Sequence, residues 1–465
     1  MASFTIGLAL ECNIISDSNI LNKLIAETKA AFRDDGIPGF VSFLLSQLDR
    51  AICARLRSEP WGELHDRCFG KKCCSHPKLE RAKVERKRIT STLGRLLVEW
   101  IRLRCCNCKT SFVPMRAVLG VQKYQSETQE FVKLACETVV EQSYRRSKKH
   151  LSKIGGIELT HTKLHRIVMG SECDEINPDV RGTPLKYLIA DGTGYPEFRP
   201  KAEKSEKEGA PIKPPKSEIK TVIGIDENNN VVPIGVWTRK GWRGVASTIR
   251  KANNHPQVKP KPIADILICD GEEALVRHMG KLTREVQRCQ WHVPHDFFQL
   301  LRYQEELDKS AAGVLTERLY KAINVEAPTA LGHTAPGVAQ ELERSIAKAE
   351  SAVDELIVEL RIRAFRKAAV YLENAKAYLF TYLRYWLATG ILPPKASSKI
   401  ERLMREFKRR IKKIGFNWSP AGVTKITRIL LKLIASETKW EAEWRDKLGM
   451  AAEVSIRFKG VALAA

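Results

Sequence analysis

Apolar residues recur along this chain with two different periods, and the changes of period divide it. Over residues 40–52 they fall at Phe40, Phe43, Leu44, Leu48 and Ile52, the spacing of one packed helix face. Residues 87–104 alternate as two strands that turn near Leu93-Gly94. The helical period returns over 125–147 and runs into a basic stretch, 145–153. Ile154-Gly155-Gly156-Ile157 breaks it, and Thr160 is placed to cap a second helix through Val168. Strand character begins at Pro184. One apolar run ends in Asp191-Gly192, and 219–225 and 231–237 flank the turn residues Asp226-Glu227-Asn228-Asn229-Asn230. After a helix and a Pro/Lys-containing linker, Ala264-Asp265-Ile266-Leu267-Ile268-Cys269 forms a buried strand that delivers Asp270 to its carboxyl end, where ligands bind in α/β sheets. A further strand over 285–289 and a helix over 294–301 follow.

From 302 to 395 the pattern turns to long helical periods, such as 338–366, which predicts an all-helical insertion between sheet elements. Its aromatic run, Tyr378 to Trp386, reads as a core helix, with base stacking the lesser alternative. Ser397 or Ser398 then caps a helix with Glu401 in its first turn, and another helix covers 423–434. The fold class is α/β. Six segments are expected: a helical region (1–60), a Cys-rich module (61–120), a helix-turn-helix-like region (121–180), the first part of a sheet core (181–301), the helical insertion (302–395), and closing helices with a tail (396–465).

Charge narrows the partners. Lys and Arg number 78 against 54 Asp and Glu, a net +24. Such an excess favours polyanions, since phosphate contacts release counterions; a ribosome-bound protein would fit equally. The sequence predicts no membrane-spanning run and no secretory signal, so the expected location is cytoplasmic, on the nucleoid, with no membrane partner. Lys163 and Arg166 on the second helix of the helix-turn-helix, and Arg402, Arg405 and Arg409 on the Glu401 helix, are the expected DNA contacts.

Of twelve cysteines, six fall between Cys68 and Cys108, which points to a metal site rather than a disulfide scaffold. Two knuckles around a hairpin are what a structural zinc ribbon needs. Cys105 and Cys108 form one C-x-x-C. The other begins at Cys68, and Cys73, Cys74 or His76 could complete it; Cys68, Cys73, Cys105 and Cys108 are taken as the Zn²⁺ set. Three carboxylates also stand apart from the rest: Asp191, Asp270 and Glu401. Acids drawn from distant parts of a chain are what two-metal phosphoryl transfer requires, with Mg²⁺ or Mn²⁺ preferring carboxylate oxygens. Glu406 and Glu437 are fallbacks for the third acid, and Asp226 is assigned to its turn.

These pieces together resemble the DDE transposases of the Mutator-like superfamily of bacterial insertion sequences. The matching stretches are LKYLIADGTGY around Asp191, ADILICDGEEAL around Asp270, CQWH from Cys289 to His292, and SSKIERLMREFKRR around Glu401. RCCNCKTSFVPMRAVLGV is similar to the zinc-finger-and-helix portion of some members. The order of motifs is the specific feature, and the likeness covers a little over half of the chain. It implies an RNase H-like mixed sheet interrupted by an all-α insertion, with Asp191, Asp270 and Glu401 as catalytic metal ligands for two ions. Cys289 and His292 would support the sheet or position a strand. It implies cleavage at terminal inverted repeats and strand transfer into target DNA, by at least a homodimer once two ends are paired. The alternatives are a catalytically inactive DNA-binding protein of the same fold and a non-mobile RNase H-like nuclease.

Overall fold

Long alternating or apolar segments pair into two separate sheets. The computed structural model describes residues 20–69, 74, 76–119, 121–198, 217–253, 261–327, 337–414 and 417–448. The chain divides into two units, Met1–Cys173 with Ala442–Ala465, and Asp174–Glu441.

In the first unit, β1 (Leu79–Ser91) and β2 (Gly94–Cys105) form an antiparallel hairpin, and β3 (Ser111–Phe112) pairs antiparallel with β2. Ser91 faces Gly94 across a two-residue turn, and Gly94 adopts φ +106°, which a side chain would strain. The helix Ile37–Ser58 packs Val41, Leu45 and Ile52 against Ile89, Leu96, Val98 and Trp100 of this hairpin. Its buried stripe is rotated from the expected one: Phe43 and Leu48 are exposed, while Asp49 is buried. Asp49 earns its place by accepting a hydrogen bond from the Ile101 backbone N–H at 2.7 Å. The helical stretch 125–147 is broken into Gln129–Glu141 and Tyr144–Gly155, because Gln142 is extended and Ser143 caps the second helix. Gly156, at φ +61°, ends that helix, and Thr160 caps His161–Gly170 as expected, its hydroxyl accepting from Lys163 N–H at 3.1 Å.

The second unit is mixed α/β. Its strands are β4 (Leu185–Tyr195), β5 (Ser217–Asp226), β6 (Val231–Thr238), β7 (Ala264–Cys269) and β8 (Thr283–Arg288), in the order β6-β5-β4-β7-β8. β5 runs antiparallel to both β4 and β6, while β7 runs parallel to both β4 and β8. Asp226 does stay in its turn, where its carboxylate accepts from the N–H groups of Asn228 and Asn230. One sheet face, with Leu188, Ala190, Val222, Leu267 and Cys269, buries itself against Val245 and Ile249 of the helix Trp242–Asn253 and Leu275 and Met279 of Glu273–Met279. Side chains alternate across a strand, so the next residues, Asp191 and Asp270, point to the opposite face.

Between the helix His292–Tyr303 and Glu401, the helices Lys309–Ile323, Val338–Ile362, Arg366–Lys376 and Thr381–Thr389 build the expected insertion around a core of their own. Phe380, Tyr382 and Trp386 are fully buried in it, which makes the aromatic run a core element. Gln287 ties this body to β8, donating to Leu379 C=O at 3.0 Å and accepting from Tyr382 N–H at 2.8 Å. Among the described residues no helix is long and apolar enough to cross a membrane.

Candidate active site

Strand register brings the first two acids together. β4 and β7 pair in parallel up to Ile189–Ile268, so two residues further on Asp191 and Asp270 occupy equivalent positions on neighbouring strands. β7 ends there. β4 does not, contrary to the expectation that Asp191 closes its strand: it continues to Tyr195 against β5, with Asp191 facing Thr221. The Thr221 hydroxyl is buried without a hydrogen-bond partner.

Asp191 senses the charge of Asp270. Burial first, and then the Asp270 carboxylate, push the Asp191 acid up to about 6, against the opposing pull of the Gly192 N–H, His292 and Lys408. The Gly192 N–H donates to Asp191 Oδ1 at 2.6 Å, and the Glu272 N–H to Asp270 Oδ1 at 3.0 Å. Gly271 turns the chain away after Asp270 at φ +90°, and a Cβ there would stand 2.0 Å from Arg288 Nε. Arg288, itself buried, donates to the Asp270 carbonyl at 3.0 Å and lies against the Tyr371 ring at 5.0 Å. The helical insertion thus braces the backbone of the second acid.

The third acid arrives from the helix Ser398–Phe407, which packs on β4. Ser397 precedes that helix but does not cap it with its side chain; its hydroxyl donates instead to Glu401 Oε1 at 2.8 Å. Cys289 Sγ and His292 Nδ1 each lie 3.9 Å from the same oxygen. Burial disfavours a charged imidazole, yet the Cys289 sulfur outweighs it and lifts His292 to about 9, with Asp296 and Asp191 adding to the effect. His292 is therefore linked electrostatically to Asp191 and by contact to Glu401. Glu406, the fallback, is paired with Arg409 at 2.6 Å.

Around the acids the surface is cationic. Arg402, Arg405 and Lys408 are exposed, and Arg409 is half-buried. Lys408 belongs to the basic run of this helix, and seven residues beyond Glu401 is two helical turns and hence the same face. Arg288 left no such signal, since nothing local distinguishes it from any arginine ending a strand. In the first unit Arg166 is exposed, and Lys163 is bound to Glu127 at 3.0 Å.

That unit also carries a thiol group. Cys74, Cys105 and Cys108 place their sulfurs within 4.8 Å of one another, with Cys74 and Cys105 3.8 Å apart. Four sulfurs held tetrahedrally at about 2.3 Å from Zn²⁺ stand about 3.8 Å apart, so the donors fit that ion. Burial opposes a thiolate at Cys105, but backbone N–H groups of Cys108, Lys78 and Asn107 bring it down to about 6. Of the expected ligands, Cys105 and Cys108 are brought together. Cys68 lies outside the group, in an apolar cluster with Cys53, Leu56 and Leu103, because the helix Glu63–Phe69 turns it inward. Cys73 lies outside the described residues.

No family model and no curated protein matches the chain. Among solved structures it is similar to the Drosophila P element transposase strand transfer complex, at 11% identity, over 71% of this chain and 83% of that one, with a TM-score of 0.23.

Proposed function

We propose that this protein is a DDE-type DNA transposase of the Mutator-like kind, whose second unit is an RNase H-like catalytic core interrupted by a helical insertion. The observation that carries this reading is the parallel register of β4 and β7, which brings Asp191 and Asp270 side by side, with the Glu401 helix packed on β4. The three carboxylates offer only hard oxygen donors and repel one another, and divalent Mg²⁺ or Mn²⁺ suits both features. Two bound ions would supply Lewis-acid activation of the attacking oxygen and charge relief at the leaving oxygen. The protein's share is positional. Asp191 and Asp270 fix one side of the site from a rigid sheet. Arg288 and Gly271 hold the Asp270 backbone, and Ser397 sets the Glu401 rotamer. Lys408, Arg402 and Arg405 line the approach of the scissile phosphate and its strand.

The first unit is proposed to recognise the terminal inverted repeats, with a zinc-ribbon-like module on Cys74, Cys105 and Cys108 and the helices Tyr144–Gly155 and His161–Gly170 presenting Lys163 and Arg166. Pairing two ends requires at least a dimer.

The test is strand cleavage of duplex DNA carrying the sequences that flank the gene, in Mg²⁺. Asp270→Asn should bind these ends as the parent does and cut them at least about 100-fold more slowly, since removing one ligand forfeits several kcal/mol of transition-state stabilisation. Unchanged cutting by that variant would remove the assignment. A parent that cuts only RNA–DNA hybrid would favour the nuclease alternative.

A further inference from the structure

The chemistry of one corner of the site differs from that of the other acids. Cys289, His292 and Glu401 bring a thiol, an imidazole and a carboxylate within 4.8 Å of one another. We infer that these three residues form a binding site for a single borderline-soft divalent cation of the Zn²⁺ type, next to the all-oxygen pair Asp191 and Asp270 and competing with it for Glu401. The inference rests on the site assembly just described, though not on the reaction assigned to it.

The distances fit. Zn²⁺ bonds sulfur at about 2.3 Å, imidazole nitrogen at about 2.0 Å and carboxylate oxygen at about 2.1 Å, so tetrahedral ligand atoms stand about 3.4–3.6 Å apart. Glu401 Oε1 is 3.9 Å from both Cys289 Sγ and His292 Nδ1, a few tenths of an ångström from that spacing. His292 Nδ1 is buried and makes no hydrogen bond, and the nearest carboxylate oxygen to it is Glu401 Oε1 at 3.9 Å. A thiolate and an imidazole are poor donors for Mg²⁺ and good ones for Zn²⁺ or Co²⁺.

The scaffold is also built as metal sites are. Cys289 is fully buried, and its backbone N–H donates to Cys269 C=O at 2.8 Å, which pins it to the end of β7. His292 opens its helix, so the C-x-x-H spacing folds both donors onto one side of a tight turn. Ser397 is buried and serves two of the ligands at once: its N–H donates to Cys289 Sγ at 3.4 Å and its hydroxyl to Glu401 Oε1 at 2.8 Å. Orienting contacts of this kind set ligand geometry and basicity around bound metals. Three protein ligands with a position left over is the open form of a zinc site. An ion held here would draw Glu401 away from the Asp pair and so tune the oxygen site.

The experiment uses the full chain, stripped with chelator and titrated with Co²⁺ in the absence of DNA, so it is independent of whether the protein cuts. Bound Co²⁺ is counted by native mass spectrometry, and thiolate ligation is read from charge-transfer absorption. The Cys74, Cys105 and Cys108 group provides a constant background. Cys289→Ser and His292→Gln should each hold one Co²⁺ fewer than the parent, and Cys289→Ser should lose the matching share of the thiolate absorption, while Asp270→Asn keeps that absorption in full. His292→Gln, at a half-buried position, preserves the reading if Cys289→Ser unfolds. The inference is overturned if both variants hold as much Co²⁺ as the parent, or if Asp270→Asn loses the same thiolate absorption as Cys289→Ser.

Discussion

The molecule holds two groups of residues proposed to bind metal, and they are assembled in opposite ways. The thiol group in the first unit is almost local. Cys105 and Cys108 share one turn between β2 and β3, and the pairing of Leu79 with Cys105 in the β1–β2 hairpin carries Cys74 back to it. Backbone N–H groups already stabilise a thiolate there before any ion binds. The acid group in the second unit is wholly non-local: two strands and a helix, with an entire helical insertion in between, must converge. Within it, burial and then the neighbouring Asp270 charge raise the Asp191 acid. Soft donors on a turn can hold an ion as part of folding, whereas clustered acids are a cost that the rest of the fold carries until an ion arrives.

That contrast can be broken at several points. The largest effect is expected for the thiols: chelation, or Cys105→Ser, should abolish cooperative melting of the first unit, since structural Zn²⁺ contributes on the order of 10 kcal/mol to small modules. The melting transition of the second unit should stay in place, as calorimetry of the full chain would reveal. If both units melt together with zinc loss, the thiol group is not a local device.

Next comes Gly271→Ala. A Cβ at φ +90° that meets Arg288 Nε should destabilise the second unit by roughly 3 kcal/mol or more in urea unfolding. Because Arg288 must move, Mg²⁺-dependent cleavage should fall as well. A variant with parental stability would mean that Arg288 is not a rigid brace.

Asp191→Asn should separate stability from function. The Asp191 acid is raised from 3.8 to about 6 in the folded chain, so the fold binds its proton more tightly than the unfolded chain does. Stability from this group is therefore fullest below about pH 4 and is lost as pH rises to about 6. The metal-free parent should lose roughly 2–3 kcal/mol relative to Asp191→Asn across that window, and Mg²⁺ should restore part of it. Parallel pH profiles for the two proteins would show that the acids do not strain the empty site. The smallest effect belongs to the surface: Arg402→Ala or Arg405→Ala should weaken DNA binding at every sequence and lower the salt-dependence slope by about one each.

Much of the second unit was legible because its strands are long and apolar. The run ending in Asp270, the Asp226 turn and the helical insertion all follow from local period and turn chemistry. The rotated stripe of Ile37–Ser58 was not, since a buried Asp49 that serves Ile101 N–H breaks the apolar code. Nor was the make-up of the first knuckle: Cys68 was expected in it with Cys73, Cys74 or His76 beside it, and packing sends Cys74 to the sulfur group and Cys68 into the core. Ser397 reads equally well as a helix cap and as the partner of Glu401, and the approach of the carboxylate decides between them.

By itself, then, the sequence determined which segments are strands and helices, where acids and thiols sit on them, and that the chain carries a large excess of positive charge. Those properties live in the side-chain period and the charge count, which no neighbour can change. Tertiary structure alone decided that Asp191 and Asp270 share a register, that Arg288 stands behind one of them, and that Cys289, His292 and Ser397 surround Glu401. Such contacts depend on strand order and helix docking, where an offset of one residue turns a side chain to the opposite face.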